Sequence, residues 1–312
     1  MTATCARGQP LVDVFREAAG RMGSRSSAWW LVEAITGAAR TDAVSDPARI
    51  VPPGECRRIA EAIARVGSGE PLQYVLGSWG FRRLDLICDR RALIPRPETE
   101  TLVEVALREL SALGASAGEV PARGATVVAD LGTGTGAVAL SLSAESASLL
   151  AGLDVQVLAT DLDSGALALA RENLACLARG DPAAAARVAL LEGSWYGAVP
   201  SLYEGSLSLI VSNPPYVSEM EWSELDPEVR NFEPLAALVA GPEGTEAIEE
   251  IVTGASRFLR TGGRLAVEIA PHQARTVAAT AVAAGLVDVR IEKDLCGRDR
   301  VLVAGLAGVR RD

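Results

Sequence analysis

The sequence predicts an α/β protein in which a mainly parallel sheet of seven strands follows a small helical domain and a β-hairpin. From Ala125 onward, short apolar runs alternate with segments of helical period, which is typical of a parallel sheet covered by helices on both faces. The first 75 or so residues instead repeat apolar side chains every three or four positions, as amphipathic helices do. Between these regions the helical period stops, and "WGFRRLDLICD" alternates like a hairpin.

The amino-terminal region contains three predicted helices, in "PLVDVFREAAGRM", "SSAWWLVEAITGAA" and "GECRRIAEAIARV". Ser26 and Pro53 are suitable residues near two of the helix starts. The adjacent Trp29 and Trp30 could form a patch that binds a partner, but we expect one ring to pack into the core of the helices. We therefore predict a helical domain over residues 1–76, a hairpin connector over 77–94 and a main domain over 95–312.

The main domain is expected to begin with a helix that Pro97 opens, that has Glu98 and Glu100 at its positive end, and that runs to about Leu110. The Gly-, Ala- and Ser-rich stretch 114–124 predicts a flexible loop. Strands are predicted at 126–131, 155–160, 187–191, 206–211, 264–269, 286–292 and 300–305, and helices near 136–149, 164–178, 243–259 and 272–284. The short connection "KDLCGRD" leaves no room for a crossover helix, so the last two strands should be antiparallel neighbours.

Composition and charge exclude several kinds of function. The chain has 312 residues, of which 49% are hydrophobic and 22% charged, as is ordinary for a globular protein with a sizeable core. A net charge of −10 argues against broad nucleic-acid binding, which needs a basic face, although a local basic patch remains open. No apolar run reaches the roughly 18 residues of a membrane span, and the start lacks a secretion signal. We therefore expect a cytoplasmic protein without a membrane or direct nucleic-acid partner.

Cysteine, histidine and lysine are too few or too scattered for several chemistries. The five cysteines include no C-x-x-C pair, so we expect neither a disulfide framework nor a zinc site, and we predict no metal. His272 is the only histidine, which excludes multi-histidine metal sites and allows a catalytic triad only through this residue. A surface or capping role is the expectation for it. Lys293 is the only lysine, which disfavours a Schiff-base mechanism.

A glycine-rich loop after the first strand of the main domain points to a cofactor. In "VVADLGTGTGAVAL", Gly132, Gly134 and Gly136 allow a tight turn and close approach of the backbone to a ligand at a helix start. With Ala137 the string also satisfies the dinucleotide fingerprint G-x-G-x-x-A, so it does not choose between cofactors. The next strand ends in "VLATDLD", where Asp161 can accept hydrogen bonds from both hydroxyls of a ribose. Together these features indicate a nucleoside-containing cofactor.

The stretch "SLIVSNPPY" (208–216) ends an apolar strand on two prolines. They remove two backbone donors and leave carbonyl acceptors, so the strand cannot continue; a plain turn that closes the strand is the simple alternative. With "DLGTGTG", NPPY resembles the motifs of S-adenosylmethionine-dependent methyltransferases that act on planar amide or amino nitrogens. In that chemistry the side-chain oxygen of Asn213 and the carbonyl of Pro214 accept the two N–H bonds of a substrate NH₂ group. The prolines, Pro215 included, keep this arrangement rigid, and Tyr216 stacks on the planar group.

The resemblance narrows to one family, the HemK-type release factor glutamine methyltransferases, and covers nearly the whole chain. The matching stretches are, in order, "EPLQYVLG", "LIPRPETE", "DLGTGTGAVAL", "ATDLD", "NPPY", "FEPLAAL" and "DLCGRDRV". The resemblance implies a Rossmann-like class I methyltransferase fold, with S-adenosylmethionine as cofactor and S-adenosylhomocysteine as product. It implies a protein substrate, the class I peptide chain release factors of translation termination, methylated on the side-chain amide of their Gly-Gly-Gln glutamine. The helical domain and the hairpin would dock that factor.

The same resemblance assigns roles to individual residues. The implied cofactor-binding residues are Asp130, Gly132, Thr133, Gly134, Thr135, Gly136, Asp161 on the ribose hydroxyls, Trp195 by the adenine, and Asn213. The implied catalytic and substrate-binding residues are Asn213, Pro214, Pro215 and Tyr216. One position departs from the family pattern: Ser194 stands where relatives commonly carry an acidic residue, so its bond to the adenine amino group would be weaker.

Several features keep two interpretations. Glu98 and Glu100 either line the site or stabilise the helix dipole, and Trp222 and Phe232 either belong to a loop that closes over the peptide or pack locally. For the whole protein, the alternatives are a glutamine methyltransferase of a ribosomal protein, a nucleic-acid amino methyltransferase, and a non-catalytic module that senses S-adenosylmethionine. The acidic charge counts against the nucleic-acid enzyme, and the intact motifs count against the sensor.

Overall fold

The computed structural model describes residues 8–116, 126–150 and 153–308. These residues form two compact units. The smaller unit takes its described residues from the chain up to Ser78 and from Asp226–Phe232. The larger unit takes them from Trp79–Leu225 and from Glu233 onward, so the predicted hairpin belongs to the larger unit except for its first residues.

The smaller unit is helical, as predicted. In chain order it contains β1 Gln9–Pro10, α1 Leu11–Met22, α2 Arg25–Thr36, α3 Asp42–Ser45, β2 Ile50–Val51, α4 Pro53–Gly67 and α5 Leu72–Leu76. Helix α2 is capped by Ser24, which accepts a hydrogen bond from the Ser27 amide at 3.2 Å, so the cap lies two residues before Ser26. Trp29 is buried and stacks on Phe15 with ring centroids 4.5 Å apart, which confirms that one of the two tryptophans packs the core.

The larger unit contains the sheet and its covering helices. Its elements begin with β3 Ser78–Phe81, β4 Leu84–Ile87, α6 Thr99–Ser116, β5 Thr126–Leu131, α7 Ala137–Leu149, β6 Val155–Asp161, α8 Ser164–Gly180, α9 Pro182–Ala185 and β7 Val188–Glu192. They continue with β8 Leu207–Ser212, β9 Val217–Ser218, α10 Glu219–Trp222, β10 Val239–Gly241, α12 Glu246–Phe258, β11 Leu259–Glu268, α13 Ala274–Ala283, β12 Val287–Lys293 and β13 Asp299–Gly305. Helix α11, Pro227–Phe232, belongs to the smaller unit.

The seven-stranded sheet has the order β12-β13-β11-β8-β5-β6-β7. Strands β11, β8, β5, β6 and β7 are parallel, whereas β13 is antiparallel to both β11 and β12. The prediction of a mainly parallel sheet with an antiparallel final pair is therefore confirmed. Strand β5 lies between β6 and β8, so the strand order reverses at this point of the sheet. The loops after β5 and β8 therefore open into one crevice. Ser212 at the end of β8 is in register with Leu131 at the end of β5.

Helices cover both faces of this sheet. Along β5, Val128 packs with α6 and α7, while Val127 and Ala129 pack with α12 and α13, as alternation along a strand requires. The hairpin β3–β4 is attached to the face covered by α6 and α7. Arg82 in the hairpin makes a bidentate contact with the buried Glu145 of α7, at 2.5 and 2.7 Å. None of the described helices has the length and apolar character needed to cross a membrane.

Two predicted boundaries are wrong. The stretch 114–124 is not wholly a loop: helix α6 continues through Ser116, and Leu153 packs where a Gly114 side chain would lie. Residues 117–124 of that prediction lie outside the described part of the chain. Strand β11 starts at Leu259, directly after α12, rather than at 264. Its pairing with β8 is irregular between Leu259 and Arg264, where Gly262 has a φ of 75°, and the earlier pairing at Leu259 extends the strand.

Candidate active site

The glycine loop adopts the tight turn that its sequence predicts. Gly132, Gly134 and Gly136 have φ values of 76°, 57° and 84°, in the left-handed region where only glycine fits without strain. At Gly132 a side chain would also collide with a neighbour, since its Cβ would lie 2.9 Å from the ring of Trp195. Gly136 is the N-cap of α7, so the free amides of that helix begin directly after the loop.

Asp130 stabilises the glycine loop through hydrogen bonds to its buried carboxylate. Its carboxylate is 1% exposed and accepts hydrogen bonds from the Thr133 hydroxyl at 2.7 Å and from the Ala139 amide at 3.2 Å. Burial raises the pKa of this carboxyl to about 7, although both hydrogen bonds favour the ionised form. Asp130 therefore fixes the start of the loop to the first turn of α7.

Asp161, the last residue of β6, ties the loop to the neighbouring strand. One carboxylate oxygen accepts from the Gly134 amide at 2.8 Å, and the other accepts from the Asp163 amide at 2.9 Å. Burial raises the pKa of Asp161 above its ordinary value. Each oxygen still has lone-pair capacity after these bonds, which leaves Asp161 able to accept from further hydroxyl groups.

A cavity of about 330 Å³ opens between these loops, within the larger unit. The predicted site residues that line it are Asp130, Gly132, Thr133, Gly134, Thr135, Asp161, Trp195, Asn213 and Pro215. The predicted residues Gly136, Pro214 and Tyr216 do not line it. The segment from Arg91 to Arg96 forms another wall, which no motif in the sequence indicated.

Asn213 reaches this cavity directly after β8. The preceding Ser212 donates its hydroxyl to the carbonyl of Leu131 at 2.6 Å, so the ends of β8 and β5 are joined. The Nδ2 of Asn213 donates to the hydroxyl of Thr99 at 3.1 Å. The Oδ1 is buried and has no hydrogen-bond partner among the described residues. Because a buried acceptor without a donor costs about 1–3 kcal/mol, this atom is suited to receive an N–H or O–H group from a ligand.

The rest of NPPY is held rigidly beside the cavity. Pro214 is buried, and Pro215 faces the cavity. The carbonyl of Tyr216 accepts from the Nε2 of Gln273 at 2.9 Å, and the same nitrogen donates to the carbonyl of Gly244 at 3.0 Å. The ring of Tyr216 packs against the core on the α12 side of the sheet, and burial raises the pKa of its phenol above the ordinary value. The stacking of Tyr216 on a substrate stays a prediction.

The segment "LIPRPETE" connects three of the other motifs, a function that its sequence did not reveal. The Ile94 amide donates to the buried carboxylate of Glu233 at 3.2 Å, and the guanidinium of Arg96 pairs with the same group, which joins the segment to "FEPLAAL". Thr99 joins it to NPPY through Asn213. Glu98 joins it to "DLCGRDRV", since it accepts from Arg298 at 3.0 Å.

The two acidic residues with open roles both serve as anchors. Glu98 pairs with Arg298, and the carboxylate of Glu100 accepts from the Arg82 amide at 3.0 Å in the hairpin turn. Neither lines the cavity. Trp222, in α10, does not line it either, while Phe232 belongs to the smaller unit.

The two aromatic residues after β7, Trp195 and Tyr196, lie in different environments. Trp195 has a positive φ of 38° and places its ring against Gly132 at the cavity wall, and the exposed Ser194 lies beside it. Tyr196 points into the core instead, where it stacks on Phe258 at 4.8 Å and donates to the carbonyl of Ile251 at 2.6 Å. Trp195 and Ser194 are thus available to a ligand, whereas Tyr196 stabilises the fold.

The described residues contain no group of three or more histidine, cysteine, aspartate or glutamate side chains placed to hold a metal ion. His272 has a side chain that is 60% exposed and lies 3.5 Å from the carboxylate of Glu221. This agrees with a surface role for the only histidine.

Two family models match the chain. The "PrmC N-terminal domain" model matches residues 15–77, and the "Methyltransferase small domain" model matches residues 117–226. Among solved structures, the hMettl16 catalytic domain in complex with MAT2A 3'UTR hairpin 6 shares the fold, with a TM-score of 0.50 at 12% identity over 85% of this chain and 86% of that one. The sheet order, the glycine loop and these matches define a class I methyltransferase fold.

Relatives that match over most of the chain give the family. The release factor glutamine methyltransferase of Cereibacter sphaeroides is 40% identical, over 84% of this chain and 86% of that protein. The release factor glutamine methyltransferase of Caulobacter vibrioides is 36% identical, over 88% of this chain and 86% of that protein. The chain belongs to the release factor glutamine methyltransferase family.

Proposed function

We propose that the protein transfers a methyl group from S-adenosylmethionine to the side-chain amide nitrogen of the Gly-Gly-Gln glutamine in a class I peptide chain release factor. The observation that carries the proposal is the buried Oδ1 of Asn213, an acceptor at the cavity without a partner among the described residues. A primary amide supplies the N–H group that this acceptor lacks. Family membership supports the choice of a glutamine in a release factor.

The cavity residues fit S-adenosylmethionine. Asp161 retains acceptor capacity for two ribose hydroxyls, and Trp195 offers a ring face for the adenine. The glycine loop allows close backbone approach at the start of α7. The volume, about 330 Å³, lies within the range of small-molecule sites. When bound, the cofactor supplies a methyl group on a sulfonium centre and leaves as S-adenosylhomocysteine.

The residues of NPPY act by positioning the substrate. In this proposal Asn213 Oδ1 accepts one N–H of the glutamine amide. The carbonyl of Pro214, which stands in the chain between the cavity-lining Asn213 and Pro215, accepts the other, so that the nitrogen lone pair is directed toward the methyl group. An amide nitrogen is a poor nucleophile because its lone pair is delocalised into the carbonyl, so orientation is the main contribution available. Ideal orientation can lower a barrier by roughly 7–11 kcal/mol. No strong base is needed during transfer, since the nitrogen can release its proton afterwards.

We assign docking of the release factor to the helical region 1–76 and the hairpin 77–94, and methyl transfer to 95–312. The match of residues 15–77 to the amino-terminal domain model of this family supports the division. Translation termination takes place in the cytoplasm, so this function requires a cytoplasmic protein.

The surroundings of the cavity do not favour a nucleic-acid substrate. Its two arginines are paired with carboxylates, Arg91 with Asp89 and Glu172 at 2.6 Å each, and Arg96 with Glu233. These pairs neutralise the positive charge that a phosphate backbone requires.

Methyl transfer from labelled S-adenosylmethionine to a purified release factor tests the proposal. The matched control is the same factor with the Gly-Gly-Gln glutamine changed to alanine, with ribosomal proteins and RNA assayed in parallel. We expect label on the unmodified factor alone. Label on a ribosomal protein or on RNA, with none on the factor, would overturn the proposed substrate.

A further inference from the structure

A buried carboxyl lies beneath the NPPY segment and has no assigned role. Glu268 is the last residue of β11, and its side chain is 0% exposed. The preceding Val267 is in register with Ser212, so Glu268 lies beside the strand end that carries Asn213. Neither of its carboxylate oxygens has a partner in full hydrogen-bond geometry among the described residues. A buried carboxyl that lacks full hydrogen-bond partners costs free energy.

Four groups from three surrounding segments influence the charge of Glu268. They are Thr99 and Glu98 at the start of α6, Tyr216 after β8, and Arg300 on β13. Burial is the largest effect and raises the pKa of Glu268 to about 7, and Glu98 adds to this. The hydroxyls of Thr99 and Tyr216 and the positive charge of Arg300 favour the ionised form. Burial thus brings the pKa of Glu268 toward neutral pH.

Thr99 stands between Glu268 and the proposed substrate site. A threonine hydroxyl has one proton and two lone pairs, and that of Thr99 accepts from the Nδ2 of Asn213 at 3.1 Å. Its proton can therefore turn toward an ionised Glu268. A protonated Glu268 would instead donate to Thr99, whose own proton could then turn toward Asn213 and favour its Oδ1 over its Nδ2 as the facing atom.

We propose that ionised Glu268 is a positioning residue that, through Thr99, keeps the Nδ2 of Asn213 anchored and its Oδ1 turned to the cavity. Protonation of Glu268 loosens this anchor, and the amide can then present its NH₂ group where the substrate needs an acceptor. The effect on turnover rests on the proposed function. The effect on the orientation of Asn213 does not, because it needs no substrate.

The orientation is tested by NMR of the Asn213 side-chain amide, assigned by its loss in Asn213→Ala. In the protein with ¹⁵N label and S-adenosylhomocysteine, we expect this signal to shift with an inflection near pH 7. In Glu268→Gln, which cannot ionise, the inflection should vanish. A signal that titrates identically in both proteins, or that does not titrate in the wild type, would overturn the proposal whether or not a release factor is the substrate.

The effect on turnover is tested by the pH dependence of kcat with a release factor. Since only the ionised form positions Asn213, wild-type kcat should fall about tenfold per pH unit below the pKa of Glu268. Glu268→Gln should have a kcat lower by on the order of 100-fold and independent of pH from 6 to 8, with KM for S-adenosylmethionine unchanged. A wild-type pH profile in this variant would contradict the proposal, whereas absent transfer by the wild type would refute the proposed substrate instead.

Variants at Thr99 separate positioning from folding. Thr99→Val removes the hydroxyl at constant size and should reproduce the loss, Thr99→Ser should restore it, and Thr99→Val with Glu268→Gln should lose no more than either alone. Glu109→Gln is the matched control, since Glu109 is a buried carboxyl of α6 that pairs with Arg264 and Arg290 instead. It should retain the wild-type pH profile. Additive losses at Thr99 and Glu268 would show that the two residues act separately.

Discussion

The glycine loop and the NPPY segment follow neighbouring strands, β5 and β8, but they differ in how their buried polar atoms are satisfied. In the glycine loop, Asp130 and Asp161 both accept hydrogen bonds from the loop itself. At NPPY, the Oδ1 of Asn213 and both oxygens of Glu268 lack full partners among the described residues. The cofactor side is thus ordered by its own hydrogen bonds before any ligand binds, whereas the substrate side has buried acceptors that still lack a donor.

This difference assigns separate energetic tasks to the two sides. A loop that satisfies its own polar groups is already ordered before the cofactor binds. Little binding free energy is therefore lost in ordering it. An unsatisfied buried acceptor gains its hydrogen bond when a substrate amide arrives. Substitutions on the cofactor side should therefore change binding and stability, and substitutions on the substrate side should change turnover.

The largest effect is expected for Asn213→Ala. The substitution removes the acceptor for the substrate NH₂ group, so kcat should fall by roughly 10²–10³-fold, as for loss of one preorganised hydrogen-bonding group in other enzymes. The dissociation constant of S-adenosylhomocysteine, measured by calorimetry, should stay within about twofold. Near wild-type turnover in this variant would remove Asn213 from the mechanism.

Asp161→Ala should show the opposite pattern. Loss of a charged acceptor for the ribose hydroxyls should weaken S-adenosylhomocysteine binding by roughly 10- to 100-fold, while kcat at saturating cofactor changes much less. The amide of Gly134 also loses its partner, so the free energy of unfolding should fall. Titration calorimetry checks the first effect, and cofactor affinity equal to that of the wild type would contradict the role of Asp161.

The smallest effect is expected for Gly132→Ala. The residue has a φ of 76°, and the added Cβ would lie 2.9 Å from Trp195, so the free energy of unfolding should drop by about 1–3 kcal/mol. Gly197→Ala is the matched control, because nothing lies within 4 Å of a Cβ there. Urea unfolding of both variants measures the difference. Equal stabilities would show that the loop is not constrained as described.

Local pattern was sufficient to predict the fold and much of the cavity. The apolar runs located the seven strands. The glycines predicted the left-handed turn before α7, because glycine is the residue type that such a turn favours. The boundary at 114–116 was missed because the packing of Leu153 on Gly114 depends on tertiary structure. In the same way, the contact between Thr99 and Asn213 was not predicted, because the two residues are 114 positions apart and "RPETE" has no local pattern that indicates it.

The buried polar contacts were the hardest features to predict. Glu268 ends an apolar strand, where a sequence pattern gives no information about which groups will face it. The buried Glu233 is contacted by Ile94 and Arg96, which lie 139 and 137 positions earlier in the chain. Long-range polar contacts of this kind have no local period, unlike the alternation that marks strands and helices.

The most direct test of the central claim, that the site reads a glutamine NH₂ group, compares two release factors that differ by one atom group. One carries Gly-Gly-Gln and the other Gly-Gly-Glu, in which an oxygen replaces the amide nitrogen at nearly constant size. With labelled S-adenosylmethionine and mass spectrometry of the resulting peptides, we expect methylation of the glutamine side chain alone. Comparable methylation of the Gly-Gly-Glu factor, or label at another position, would contradict the account.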